Sequence, residues 1–450
     1  MKFLYRAAIE YLKQWKEKKK RKSLLIRGAR QVGKTWLMNE FGRSFYAHTV
    51  YINFDNNPPM KELFSADMQI ERIITGLEIY VEHKIDPDQT LLIFDEIQEV
   101  PEALASLKYF NENAPGYQII CAGSLLGAAL HQGTSFPVGK VEFLDLYPLS
   151  FAEFLYAMDQ KPLADLLKKH DFKLASAFSQ NYIDLLKYYY FVGGMPECVE
   201  YFSANKDFNE VRNIQKNILL AYEQDFSKHA PNHIVPHIRM LWNSLPAQLS
   251  KENKKFIYGL IREGARAKDY EMALLWLRDC GLVHPVHRVT APGIPLSAYE
   301  DTKAFKLFFL DIGLLSCMAH LDQSVLIAGS QLFREFKGGL TEQYVLQQLK
   351  TLRGIDTWYW TNGRGTAEID FLIQSGPFII PIEVKAETNL KAKSLKIYCE
   401  KFAPPMAVRL SMAGYKQEDK LLNLPLWAAE TLEHIDPKTE DATVNGCSQF

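Results

Sequence analysis

Nothing in this chain marks it as disulfide-stapled, zinc-clipped or membrane-crossing. Its cysteines, Cys121, Cys198, Cys280, Cys317, Cys399 and Cys447, are scattered, and none stands in a Cys-x-x-Cys pair. That removes the spacing of a zinc site or a disulfide framework and leaves reduced thiols as the expectation. No apolar run approaches the roughly eighteen residues that a membrane span needs. Met1–Arg6 does not open an apolar stretch ending in a small-residue cleavage site, so no secretory leader is expected. The reading is a soluble cytoplasmic protein with no membrane partner. An excess of one charge is also missing. The net charge is −1 over 450 residues, so no global basic field announces nucleic acid, and any such contact must be local.

What is present is ordinary in bulk and distinctive in detail. A composition of 47% hydrophobic and 23% charged residues suits a globular protein, and the length calls for roughly two or three domains. The decisive stretch is Leu24 to Thr35. A short buried strand runs into Gly-x-x-x-x-Gly-Lys-Thr, Gly28 to Thr35, and a helix is predicted from Trp36 to Phe41. Phosphate binding needs this order. Gly28 and Gly33 let Ala29, Arg30, Gln31 and Val32 fold into a cradle of inward N–H groups. The helix beginning near Trp36 adds its positive end. Lys34 reaches the β- and γ-phosphates, and the Thr35 hydroxyl ligates Mg²⁺. ATP and Mg²⁺ are therefore the expected cofactors.

A second strand is predicted over 49–54 and helical spacing over 61–83. Leu91-Leu92-Ile93-Phe94-Asp95-Glu96 then reads as a parallel strand buried on both faces, with two acids at its carboxyl end. Asp95 is placed to hold the Mg²⁺ shell and Glu96 to orient or deprotonate the attacking water. A further apolar strand, 117–123, ends at Ser124. That residue is either a γ-phosphate or water contact, or a helix N-cap, or both. The basic run Lys16–Lys22 is read as a solvated helix end rather than a nucleic-acid arm.

GARQVGKT, LLIFDEIQEVP and IICAGSLLG resemble a bacterial and archaeal family of AAA-type P-loop ATPases. In that family another strand separates the acid-bearing strand from the phosphate-loop strand. Phe143–Leu155 resembles the segment that closes the family's ATPase module. Gly139-Lys140 stands where the family usually has Gly-Arg, so Lys140 lacks the bidentate fork of a sensor arginine. Gly193-Gly194-Met195-Pro196-Glu197 and Asp311-Ile312-Gly313-Leu314-Leu315 resemble two more family signatures with no assigned chemistry. Arg212 and Arg239 are candidate nucleotide-directed arginines in the helical lid.

Helical patterns over 237–249, 254–262 and 268–280, then strands, look like a winged helix. Its recognition helix would be Lys268–Cys280, whose mixed charges suit docking better than phosphate backbone. Near the C-terminus a helix at 339–350 carries Glu342 in its first turn, followed by strands at 357–360, 368–373 and 379–385. Glu368 and Asp370 share one strand face, as do Glu383 and Lys385. Asp-x₁₂-Glu-x-Lys is the spacing of the PD-(D/E)XK nuclease fold, and the domain resembles the unknown-function domain usually fused to these ATPases. On that likeness Asp370 and Glu383 hold one or two Mg²⁺ ions, Glu342 completes the shell, and Lys385 polarises the attacking water. The plain alternative is a charged hairpin in which Lys385 pairs with Glu383 or Glu387.

The expected class is α/β: a P-loop NTPase parallel sheet with a helical lid, a winged-helix-like middle domain and a C-terminal restriction-endonuclease-like domain. The predicted boundaries are 1–160, 161–235, 236–322, 323–430 and a polar tail, 431–450. Two functions follow. One is a Mg²⁺-dependent ATPase coupled to a nuclease-like domain acting on DNA or RNA. The other is an ATP-switched regulatory protein whose nuclease-like fold is a non-cleaving platform for a protein partner. Oligomerisation is open in both.

Overall fold

The computed structural model describes residues 4–123, 137–249, 255–328, 334–363, 366–388 and 392–434. It divides into two compact units. One is Arg6–Tyr147 with Asp279–Leu282; the other is Met1–Tyr5, Pro148–Arg278 and Val283–Phe450.

The first unit is built on strands β1 (Ser23–Arg27), β2 (His48–Asn53), β3 (Thr90–Asp95), β4 (Gln118–Ala122) and β5 (Val141–Asp145). They form one sheet in the order β2-β3-β4-β1-β5, every pairing parallel. The sequence explains the inner strands. Leu24, Leu25 and Ile26, then Leu91 to Phe94, then Ile119 to Ala122, leave no polar face for water, and all are buried. β4 lies between β1 and β3, as the family resemblance implied. The carboxyl ends of β1 and β3 therefore meet at one edge of the sheet, where open α/β sheets bind ligands.

The helix after β1 runs Lys34–Phe45, longer than predicted. The helical stretch at 61–83 is two helices, Pro58–Ala66 and Ile70–Val81. Asp67 breaks it in an extended conformation, its carboxylate accepting from Gln69 N and Arg72 Nε. Val50, Ile52, Leu92, Phe94 and Ile119 pack against Ile73, Leu77, Leu104 and Leu107. Each such side chain contributes about 1.5–3 kcal/mol by leaving water.

The second unit holds eight strands in one sheet: β6 (Val283–Val289), β7 (Glu300–Phe309), β8 (Thr357–Thr361), β9 (Glu368–Ser375), β10 (Phe378–Val384), β11 (Ala407–Ser411), β12 (Lys416–Glu418) and β13 (Leu421–Pro425). Their order is β12-β13-β11-β10-β9-β8-β6-β7. This differs from the expected arrangement. The sequence places the hairpin β6–β7 at the end of a separate winged-helix-like domain, 236–322. The helices Val235–Leu249 and Ala267–Asp279 do precede it, but β6 pairs in parallel with β8. Val289 and Leu296 share a core with Trp360, Ile369, Leu372, Leu395 and Tyr398. A hairpin with an apolar face and an open edge is stabilised by a neighbouring strand, and β8 supplies one.

The segment expected to close the nucleotide module, Phe143–Leu155, is divided between the units: Phe143–Tyr147 belongs to the first and Pro148–Leu155 to the second. Ser150 and Glu153 form a capping box on the helix Phe151–Ala157, Leu149 N donates to Gly194 O at 2.7 Å, and Phe151 N donates to Gln348 Oε1 at 2.7 Å. The two signatures without assigned chemistry meet here. Asp311 accepts from Gly194 N at 2.7 Å, Leu314 N at 3.0 Å and Gln347 Nε2 at 2.9 Å, with no exposure to water. A Cβ at Gly193 would sit 2.1 Å from Asp311 Oδ1, and one at Gly313 2.5 Å from Val192 O. These motifs are a joint between chain segments, held by backbone contacts that only glycine permits.

Candidate functional site

The nucleotide-type site is built where β1 and β3 end. Gly28 has φ 147° and a Cβ there would meet Leu146 O at 2.2 Å, so the turn out of β1 excludes a side chain. Gln31 (φ 65°) and Gly33 (φ 92°) bend the loop back into the helix. Ala29 and Val32 are buried and anchor it, Arg30 and Trp36 are half-buried, and Gln31 is exposed. Arg6 Nη1 donates to Val32 O at 3.0 Å, bracing the loop from the N-terminal side.

Lys34 is 7% exposed and donates from Nζ to Gly28 O at 2.9 Å and Ala29 O at 2.8 Å. The amine is thus held across the mouth of its own loop. Burial pushes its pKa down to about 8, with the Glu96 and Asp95 carboxylates opposing that shift. Thr35 Oγ1 donates to Asp95 Oδ2 at 2.7 Å. This hydroxyl–carboxylate pair is the hard oxygen set that suits Mg²⁺, an ion that keeps several waters and needs few protein ligands. The donor chemistry therefore fits the expected ion.

Tyr51, on β2, donates from its hydroxyl to the same Asp95 oxygen at 2.9 Å. Burial first, then the Asp95 charge, raises the Tyr51 pKa, so the phenol remains a donor. Glu96 adopts the left-handed conformation, φ 50° and ψ 42°. For a non-glycine residue this costs of order 1–2 kcal/mol, and such strain gathers at functional positions. It turns Glu96 off the strand axis, and Gln98 Nε2 holds its Oε2 at 2.6 Å. Tyr51 and Gln98 were not legible as site residues. Gln98 lies two positions after Glu96, and that adjacency was the available signal.

Ser124 lies outside the described residues. Lys140 is ion-paired with Glu112 at 2.9 Å. Arg212 stacks on Phe191 and donates to Gln215 Oε1, Ser316 Oγ and Leu321 O. Its guanidinium is engaged by these partners inside the second unit. Arg239 donates to Ser227 Oγ at 2.8 Å.

The second unit holds a buried charge cluster, and it departs from the expected metal site. The helix carrying Glu342 spans Arg334–Thr351, so Glu342 sits well inside it rather than in its first turn. Sequence reasoning missed Lys306, on β7. With no exposure, its Nζ stands 3.2 Å from Glu342 Oε2, 2.5 Å from Glu368 Oε1 and 3.7 Å from Asp370 Oδ1. Burial alone would lower the Lys306 pKa; the three carboxylates more than reverse this and hold it above the usual lysine range.

Asp370 Oδ2 accepts from Val384 N at 2.7 Å. Lys385 pairs with Glu383 Oε1 at 2.5 Å, while Glu387 pairs with Lys337. Glu383 lies on β10, which has a partner strand on each side, and is 3% exposed. Its Oε2 has no hydrogen-bond partner. Burial raises its pKa against the pull of Lys385. Among the described residues, no three His, Cys, Asp or Glu side chains are arranged to hold a metal ion. Of the expected Mg²⁺ ligands, Glu342 and Asp370 stand within 4 Å of the Lys306 ammonium, and Glu383 pairs with Lys385. Among the described residues, no helix is long and apolar enough to cross a membrane.

Residues 20–155 match an AAA domain family. Residues 183–325 and 337–428 match two domains of unknown function, DUF8612 and DUF4143. No curated protein matches the chain. Solved structures with some likeness include a Walker-type ATPase of Pyrococcus abyssi, 15% identical, covering 70% of this chain and 96% of that one, TM-score 0.42. The Orc1 protein of Aeropyrum pernix in complex with DNA is 12% identical, covering 70% and 90%, TM-score 0.26. Cdc6p of Pyrobaculum aerophilum is 13% identical, covering 73% and 95%, TM-score 0.26. These overlaps are too loose to transfer an activity. The phosphate loop and the parallel sheet lie within the stretch of the first unit that matches the AAA domain family.

Proposed function

We propose that this chain is a Mg²⁺-dependent ATPase acting through Gly28–Thr35, Asp95 and Glu96. The observation that carries the proposal is the meeting of Thr35 Oγ1 and Asp95 Oδ2 at 2.7 Å beside a buried Lys34 and a turned-out Glu96. In this reading the loop N–H groups and Lys34 hold the phosphates. Thr35 and Asp95 would hold Mg²⁺, which would neutralise charge on the phosphate oxygens. Tyr51 fixes the Asp95 carboxylate. Glu96 takes the proton of the attacking water, and Gln98 sets the position of its carboxylate. Titration with a fluorescent ATP analogue and Mg²⁺-dependent phosphate release test this. Lys34→Ala is expected to lose at least about tenfold in affinity. Equal affinity in wild type and variant would refute the site.

Two readings of the C-terminal fold compete. The carboxylates suit a nuclease acting on DNA or RNA. The Lys306 ammonium within 4 Å of three of them supports instead a non-cleaving platform whose contacts ATP switches. Plasmid and single-stranded DNA incubated with Mg²⁺ or Mn²⁺ separate the two. The platform reading expects no cleavage beyond that of Asp370→Ala, and cleavage lost in Asp370→Ala would restore the nuclease.

A further inference from the structure

We propose that Lys306 is a tethered cation that fills the acidic centre of the C-terminal domain in place of a divalent metal ion. Three observations lead there. Lys306 has no exposure, and among the described residues its ionic partners within 4 Å are Glu342, Glu368 and Asp370, from one helix and one strand distant in sequence. A buried lysine is costly unless paired, and three carboxylates without a cation would be costlier still. Each therefore explains the other. Next, Glu383 keeps one carboxylate oxygen buried without a partner at the edge of this cluster. Finally, Lys306 is delivered by β7, from the hairpin that extends the sheet rather than from the strands that carry the acids. The cation thus arrives from a segment outside the domain that resembles a nuclease.

The charges show what the ammonium does. Glu342, Glu368 and Asp370 stand around the Lys306 ammonium, and Glu383 pairs with Lys385. Replacing the Lys306 ammonium with an apolar group takes that cation from the three carboxylates around it. Such a set either binds a hard divalent cation or disrupts the fold. The wild-type chain avoids both outcomes with a cation that cannot dissociate.

Nucleotide-free full-length protein, titrated with Mn²⁺ and followed by calorimetry and by the electron paramagnetic resonance of free Mn²⁺, tests this. Without nucleotide the readout does not depend on whether the chain hydrolyses ATP. Wild type is expected to show no Mn²⁺ site that Asp370→Asn removes. Lys306→Met is expected to gain one site per chain, at least about tenfold tighter than any wild-type binding, and Lys306→Met/Asp370→Asn to lose it. If Lys306→Met alone fails to fold, Lys306→Met/Glu342→Gln removes one carboxylate charge and carries the same comparison. A wild-type Mn²⁺ site abolished by Asp370→Asn would overturn the proposal. So would a folded Lys306→Met variant, single or double, that gains no site.

Discussion

Lys34 must be charged to hold a phosphate, yet its surroundings disfavour the charge. Its pKa of about 8 in the free protein lies below the ordinary lysine value of 10.5. Phosphate oxygens beside the ammonium raise that pKa again, so ATP binding takes up a proton wherever the free lysine is neutral. ATP affinity is therefore expected to be flat below pH 7 and to fall as pH rises past 8, approaching about tenfold per pH unit. Lys34→Arg, charged at every such pH, should bind with a flatter profile. Fluorescence titrations from pH 6.5 to 9.5 check this, and an identical slope in both proteins would assign the dependence elsewhere. At this scale the sequence was informative where residues act on their neighbours in the chain. Gly28 to Thr35 could be read because the loop is local, and Asp95-Glu96 because both end a recognisable strand. Tyr51, 44 residues from Asp95, and Lys306, 62 residues from Glu368, carry no local signal. Their partners become known only when strands pair.

The sheet strands and most helices follow from periodicity, because an apolar run or an amphipathic stripe declares its own burial. Edge-to-edge pairing does not. β6 and β7 have the pattern of a free hairpin, and their alignment with β8 is decided by a register that the sequence does not display. The Gly193–Glu197 and Asp311–Leu315 segments were visible as motifs without a purpose, and folding supplies one. Asp311 satisfies two backbone N–H groups and Gln347 at a buried position. Asp311→Ala would leave these donors without their acceptor, at a cost of about 1–3 kcal/mol for each one unsatisfied. Gly193→Ala would force a Cβ to within 2.1 Å of Asp311 Oδ1 at φ 74°. Both variants are expected to lower the urea midpoint of the second unit while leaving ATP binding to the first intact. An unchanged midpoint in both would show that the joint contributes nothing to stability.

The whole chain combines an AAA-type P-loop unit with a larger unit whose sheet is continuous from Val283 to Pro425. A ligand that binds only the folded nucleotide unit stabilises it by mass action, about 2.7 kcal/mol at a hundred times its dissociation constant. Scanning calorimetry with Mg²⁺ and ATP is expected to raise the transition belonging to the first unit, and Lys34→Ala should abolish the rise. The central claim is that Glu96 activates water at a site where Thr35 and Asp95 hold Mg²⁺. Its most direct test is phosphate release by Glu96→Gln, measured beside ATP binding by the same protein. The account predicts near-wild-type affinity with turnover reduced by about 100-fold or more, since only the proton acceptor has been removed. Wild-type turnover in Glu96→Gln would contradict it.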